Sequence, residues 1–170
     1  MTTSTKTDWN IAGVSDDSAP GCDLVRQWLR EHNWTVNPDF MEQLQQEAKQ
    51  ARPLVLLASA DSRVVGGLFA ETQFAWLRIS LMAVAPERRS QGIGAALLGE
   101  AERIAIARGC KHVYVDTMEY QAPRFYLAHG FAIVGELRDW DSRGHAKFFL
   151  TKHLGDPPAG APDALPSRKQ

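Results

Sequence analysis

The stretch Val84-Ala85-Pro86-Glu87-Arg88-Arg89-Ser90-Gln91-Gly92-Ile93-Gly94-Ala95-Ala96-Leu97-Leu98 decides the fold. It joins the end of a β-rich run, Trp76–Val84, to a pattern of helical period over 92–108. There Leu97, Leu98, Ala101, Ile104 and Ala105 share one apolar stripe, and Gly109 stands just past the end. The first N–H groups of such a helix have no intrahelical partner. With the positive end of the helix dipole they make a site for a phosphate anion. Gly92 and Gly94 remove Cβ atoms where a phosphate would approach the backbone, and Arg89 adds a positive charge. A Walker loop is excluded because no Lys-Ser/Thr follows Gly94. The dinucleotide fingerprint is excluded because Leu97 stands where its third glycine belongs. An isolated G-x-G would read as a helix start without a ligand; the preceding strand and Arg89 favour the ligand.

Upstream, residues 54–59 and 64–72 are β-rich runs around Asp61-Ser62 and predict an antiparallel hairpin, with Trp76–Val84 as a third strand. Before them, a short opening strand is predicted at 9–14 and helices at 22–32 and 39–51. The first helix carries Leu24, Val25, Trp28 and Leu29; the second follows Asn37-Pro38-Asp39 and carries Met41, Leu44, Ala48 and Ala51. Downstream come a strand at 112–116, a short helix at 122–129 closed by Gly130, and a hairpin of 131–137 and 145–152 around 139–144. The class is α+β with a mixed sheet. Residues 1–154 read as a single domain. Residues 155–170 hold four of the nine prolines and little apolar bulk, so a disordered tail is expected, as is a loose start over the first eight residues.

At 170 residues, with 44% hydrophobic and 23% charged residues and a formal net charge of -1, the composition is that of a soluble globular chain. The charge balance argues against a nucleic-acid binder. Cys22 and Cys110 form no C-x-x-C pair and the five histidines lack H-x-x-x-H spacing, so neither a disulfide framework nor a metal is expected, and a cytoplasmic setting is the simplest reading. No signal peptide or lipid anchor is expected. The apolar runs 54–60 and 64–70, interrupted by Asp61 and Arg63, are too short to span a bilayer.

A second motif, Asp116-Thr117-Met118-Glu119-Tyr120-Gln121-Ala122-Pro123-Arg124-Phe125-Tyr126-Leu127-Ala128-His129-Gly130-Phe131, lies after the fourth β-rich run. With Arg89-Ser90-Gln91-Gly92-Ile93-Gly94 it resembles the GNAT acetyltransferase superfamily, whose shared signatures are R/Q-x-x-G-x-G/A and D-T-x-x-x-Q-A-x-x-F-Y-x-x-x-G-F. The resemblance runs from about residue 64 to 154. It implies a twisted, mixed, mostly antiparallel sheet of about seven strands with about four helices. The family's fourth and fifth strands, here Trp76–Val84 and 112–116, splay apart around acetyl-CoA. It assigns the cofactor to Met82, Ala83, Val84, Arg89, Ser90, Gln91, Gly92, Ile93, Gly94 and Ala95, with Gln121 on the pantetheine arm and Tyr126 near the thiol. The backbone of Met82, Ala83 and Val84 would pair with that arm like an added strand.

By the same resemblance Tyr126 is the acid that protonates the departing thiolate. A phenol of pKa about 10 against a thiol of about 8.5 stays protonated at neutral pH. Without the motif, Tyr126 would read as a packing aromatic beside Phe125. The expected chemistry is direct attack of a neutral amine, with the oxyanion held by a backbone N–H near Ala83 or Val84 and no covalent intermediate. Glu71, Glu119 and Asp116 are candidate bases, each equally readable as a solvated surface charge. Trp76, Ser80, Asp116, Glu119 and Asp139 are expected to line the acceptor site.

The nearest resemblance is to a bacterial branch with G-x-L-x-D, here Gly135–Asp139, and a G-H-x-x-x-F-L-x-K-x-L ending, here Gly144–Leu154. Departures are Ser80 for an acidic residue, Ala83 for tryptophan, and a 139–144 loop without proline. Acidic residues at 116, 119, 136, 139 and 141 imply a small cationic amine, with an aminoglycoside-type antibiotic such as kasugamycin as the specific expectation. A protein or peptide N-acetyltransferase and a non-catalytic CoA sensor remain as alternatives. The resemblance leaves a homodimer open.

Overall fold

The computed structural model describes residues 9–155. The predicted loose start over 1–8 and the predicted tail beyond Gly155 lie outside the described residues. Two compact units are present, one up to Glu47 and one from Ala48 onward.

The first unit contains α1 (Cys22–Val36) and α2 (Pro38–Gln45). Gly21 enters α1 with φ 93, and Pro38 opens α2 behind Asn37, whose side chain accepts the Phe40 N–H at 3.2 Å. α1 outruns its predicted end at residue 32. α2 stops well short of residue 51, and a 3₁₀ turn, Glu47–Lys49, follows. No α2 residue is buried, so the Met41/Leu44 spacing gains no packing from further turns. The predicted strand at 9–14 does not form: Ile11 is 85% exposed and the segment pairs with no described strand.

The second unit holds β1 (Arg52–Ala60), β2 (Arg63–Gln73), β3 (Trp76–Val84), α3 (Ile93–Ala107), β4 (His112–Met118), α4 (Pro123–Ala128), β5 (Ala132–Leu137) and β6 (Lys147–His153). Their order in the sheet is β1-β2-β3-β4-β6-β5, six strands instead of about seven, the missing one being the opening strand. Every neighbouring pair is antiparallel except β3 and β4. Asp61 and Ser62 both take positive φ (49 and 61), the backbone of a tight hairpin turn whose twist matches its strands.

α3 covers one face of the sheet. Leu97, Leu98, Ala101 and Ala105 are buried with Leu68, Leu77 and Ile79 from β2 and β3, Val113 and Val115 from β4, and Leu150 from β6. Each fully buried leucine or valine here contributes roughly 1.5–3 kcal/mol relative to exposure. α3 also passes close to β2: a Cβ on Gly66 would come within 3.1 Å of Ile93 Cγ2 and 3.2 Å of the Ala83 carbonyl oxygen.

β3 pairs with β4 only through Trp76–His112, Leu77–Val113, Arg78–Tyr114 and Ile79–Val115. On its other side β3 carries one extra residue. Phe69 faces Leu81 and Ala70 faces Ile79, so Ser80 is bulged out of the ladder. A bulge bends its strand and sharpens its twist. The bend falls where the parallel ladder ends, and residues 80–84 diverge from residues 116–118 to leave a wedge in the sheet.

Candidate active site

The wedge opens onto a cavity of about 720 Å³ lined by Met82, Ala83 and Val84 of β3, by Arg88, Arg89 and Ser90, and by Gly92–Ala95 at the start of α3. Its far wall is Tyr120, Gln121, Ala122, Phe125 and His129. Gly92 sits at φ 83, where a side chain is disfavoured, and turns the chain into α3. The N–H groups of the first turn that follows have no carbonyl of their own helix to bond and carry the positive end of its dipole. Ser90 holds a left-handed φ of 60 beside them. The Nε–H of Arg89 donates to the Val84 carbonyl at 3.3 Å, which pins the guanidinium to the strand end; the group has four further N–H donors.

Of the residues the sequence assigns to the cofactor, Gln91 and Tyr126 fall outside this lining. The Gln91 side chain donates to the Glu87 carbonyl at 3.2 Å. Gln121 does line the cavity, yet its Oε1 accepts the Met118 N–H at 2.8 Å and closes the turn after β4. Arg88, Phe125 and His129 were missed as site residues. Phe125 lies on α4 and His129 caps its end, and the His129 Nδ1–H donates to the Phe125 carbonyl at 2.7 Å.

A second cavity, about 400 Å³, adjoins the first and shares Tyr120 and Gln121 with it. Ser80, Asp116, Met118, Trp140, Asp141 and Lys147 complete its walls. Lys147 Nζ lies 2.7 Å from Asp116 Oδ2 and 4.7 Å from the centre of the Trp140 ring. Asp141 accepts the N–H of Arg143 at 3.0 Å, the N–H of His145 at 3.2 Å and the His145 ring at 2.7 Å. The His145 bond leads the interactions that hold the Asp141 carboxyl below its ordinary value. Lys147 and Trp140 carried no sequence signal for this pocket: Trp140 lies in an irregular turn, and Lys147 gains its place from the β4–β6 register, opposite Met118.

The remaining acceptor and base candidates are scattered. Trp76 is at the opposite end of β3, stacked on His112 with ring centres 4.6 Å apart. Glu71 is 3.4 Å from Arg78 across the β2–β3 ladder. Glu119 accepts the Ala146 N–H at 3.0 Å, and Asp139 accepts the Gly144 N–H at 2.6 Å within its turn. None of these four lines either cavity, so among Glu71, Glu119 and Asp116 only Asp116 reaches the second pocket.

Tyr126 is 4% exposed and lies edge-on to Phe125 and Phe131, with ring centres 5.3 Å away in each case. Burial, with a smaller contribution from the Asp116 charge, pushes its pKa up to about 12. Its hydroxyl therefore stays protonated across the neutral range. Cys110 is buried, and desolvation pushes its thiol up, which disfavours the thiolate. Among the described residues no group of His, Cys, Asp or Glu is arranged to hold a metal ion, and no helix is long and apolar enough to cross a membrane.

The family model for the Acetyltransferase (GNAT) family matches residues 22–131. An acetyltransferase of Agrobacterium fabrum, Atu2258, is 40% identical over 83 residues, 49% of this chain and 61% of that protein, so the chain spans about three fifths of that relative. Blasticidin-S acetyltransferase of Streptomyces morookaense is 32% identical over 110 residues, 62% of this chain and 80% of its own length. The crystal structure of an acetyltransferase from Bacillus cereus superposes with a TM-score of 0.65 at 26% identity, covering 86% of this chain and 97% of the other.

Proposed function

This chain belongs to the GNAT acetyltransferase family and is an acyltransferase, and from that premise we propose that it transfers an acetyl group from acetyl-CoA to a primary amine of a small cationic molecule. The observation that carries the reading is the meeting of two cavities at Tyr120 and Gln121. One is walled by an unsatisfied helix start and two arginines; the other is walled by carboxylates and aromatic rings.

The first cavity fits the cofactor. The N–H groups of Ile93, Gly94 and Ala95 with the Arg89 guanidinium would hold the diphosphate, since Gly92 and Gly94 leave the backbone bare on that side. The cleft-facing edge of β3 over 82–84 has no strand partner there and would pair with the pantetheine amides. When bound, acetyl-CoA supplies the acyl group already activated as a thioester. A backbone N–H near Ala83 would steady the oxyanion. Tyr126 would give its proton to the thiolate. Its pKa of about 12 keeps that proton available at every working pH but makes it a reluctant donor, so the tyrosine acts only on a thiolate formed close by and equally desolvated. Asp116 lines the acceptor pocket and is the carboxylate placed to draw in an ammonium.

The relative that acetylates blasticidin S, by its name, supports an amine-bearing antibiotic as the acceptor class, in keeping with the aminoglycoside-type expectation. A panel of amine antibiotics, simple amines and N-terminal peptides, assayed for free thiol release with acetyl-CoA, tests the reading. Turnover confined to small amines is expected. Turnover of peptides alone would replace the acceptor class, and coenzyme A binding with no turnover of any amine would leave a sensor.

A further inference from the structure

The acceptor pocket already contains an ammonium, that of Lys147. It is 2.7 Å from the Asp116 carboxylate and 4.7 Å over the Trp140 ring, with the Phe149 ring centre 6.0 Å away. A carboxylate facing an indole is the pairing that recognises an alkylammonium from any source. We propose that the acceptor carries a second ammonium besides the amine that is acetylated, and that this second charge takes the place of Lys147 between Asp116 and Trp140. The proposal rests on the transferase reading and narrows its acceptor to molecules with at least two amines.

Three observations favour exchange at Asp116 over capture elsewhere in the pocket. Asp141, the other carboxylate in the wall, is held by three donors from its own turn, two of them backbone N–H groups that cannot leave. Asp116 is paired instead with the tip of a four-carbon side chain that can swing away. The pair is partly exposed, with the two side chains 21% and 31% accessible, so a cation arriving in the pocket can reach the carboxylate directly. About 400 Å³ of open space borders the pair, enough for the body of a small polyamine. Lys147 thus acts as a resident competitor: it keeps Asp116 neutralised until a molecule with a matching charge arrives. An amine with one charge has nothing to set against it.

The test is calorimetry of 1,4-diaminobutane binding to the coenzyme A-loaded protein. Lys147→Met removes the competitor and keeps the apolar stem, and is expected to tighten diamine binding three- to tenfold. Adding Asp116→Asn to that variant should abolish the gain, and Trp140→Leu in the wild-type background should weaken binding severalfold. Lys147→Gln, checked by circular dichroism, repeats the measurement should the methionine variant fold poorly. Weaker binding in the Lys147 variants would show that the lysine grips an anionic group. Unchanged binding, or no diamine heat in any variant, would equally overturn the proposal. Thiol release by the wild type with the amine panel reports separately on the transferase reading.

Discussion

Ser80 donates its hydroxyl to the Phe69 carbonyl at 3.1 Å, at the position where β3 carries one residue more than β2 opposite it. The bond secures the bulge that turns β3 away from β4. Ser80→Ala is expected to lower stability by about 1 kcal/mol, the net worth of one such hydrogen bond, seen as a lower urea midpoint with unchanged slope. A loss above about 3 kcal/mol would mean that the hydroxyl holds the wedge open by itself.

Tyr126 gives a stability signature in alkali. Its folded pKa, about 12, lies above the ordinary value of 10 for an unfolded tyrosine. The unfolded chain therefore releases that proton first. The stabilisation is complete below pH 10 and is lost as pH rises through 12, by about 2–3 kcal/mol for a two-unit gap. Tyr126→Phe should lack this component of the alkaline loss in denaturation series from pH 9 to 12. The same variant should lower kcat while leaving coenzyme A affinity nearly intact.

Arg89 separates the phosphate part of the cofactor from the rest. Arg89→Ala should raise the coenzyme A dissociation constant about tenfold, near 1.4 kcal/mol. Acetyl-pantetheine, which has no diphosphate, should bind the variant and the wild type alike. Equal losses for both compounds would show that the guanidinium works by propping the Val84 carbonyl.

Lys152 of β6 reaches Glu102 of α3 with both carboxylate oxygens at 2.8 Å, and the two side chains are 25% and 16% exposed. The lysine stem passes over Gly130 and its ammonium lies 5.8 Å from the Phe131 ring centre. Glu102→Ala, which strands the ammonium, should cost about 1–2 kcal/mol. Lys152→Met with Glu102→Gln should recover part of that, because an apolar replacement removes the desolvated charge. Thermal melts of both variants beside the wild type check this.

The phosphate turn was legible because its signals are local. Gly92, Gly94 and the stripe through Leu97, Ala101 and Ala105 state the helix and its bare entrance without help from distant residues, and all three stripe positions are buried. The strand after α3 was legible as well, from the β-rich run at 112–116, and its place beside β3 followed from the family resemblance. The acceptor pocket was not. Asp116 was found through its motif, but Lys147 and Trp140 enter through cross-strand register and an irregular turn, neither of which a period encodes. Acidic residues that looked like a cationic-substrate surface are largely engaged in place: Glu119 and Asp139 by backbone N–H groups, Glu136 by Arg138 at 3.4 Å, Asp116 by Lys147. Composition reports a charge and says nothing of its partner. The opening strand failed for a related reason, since apolar residues at 9–14 promise a strand only if a neighbour supplies the other half of the ladder.

Four backbone pairs are all that join β3 to β4. A seam that short makes the sheet the natural place for the chain to come apart on one side of α3 while both flanking hairpins stay folded. A compound that bridges the wedge lengthens the seam and stabilises the closed sheet by RT ln(1 + [L]/Kd), so the open fraction falls as its concentration climbs past Kd.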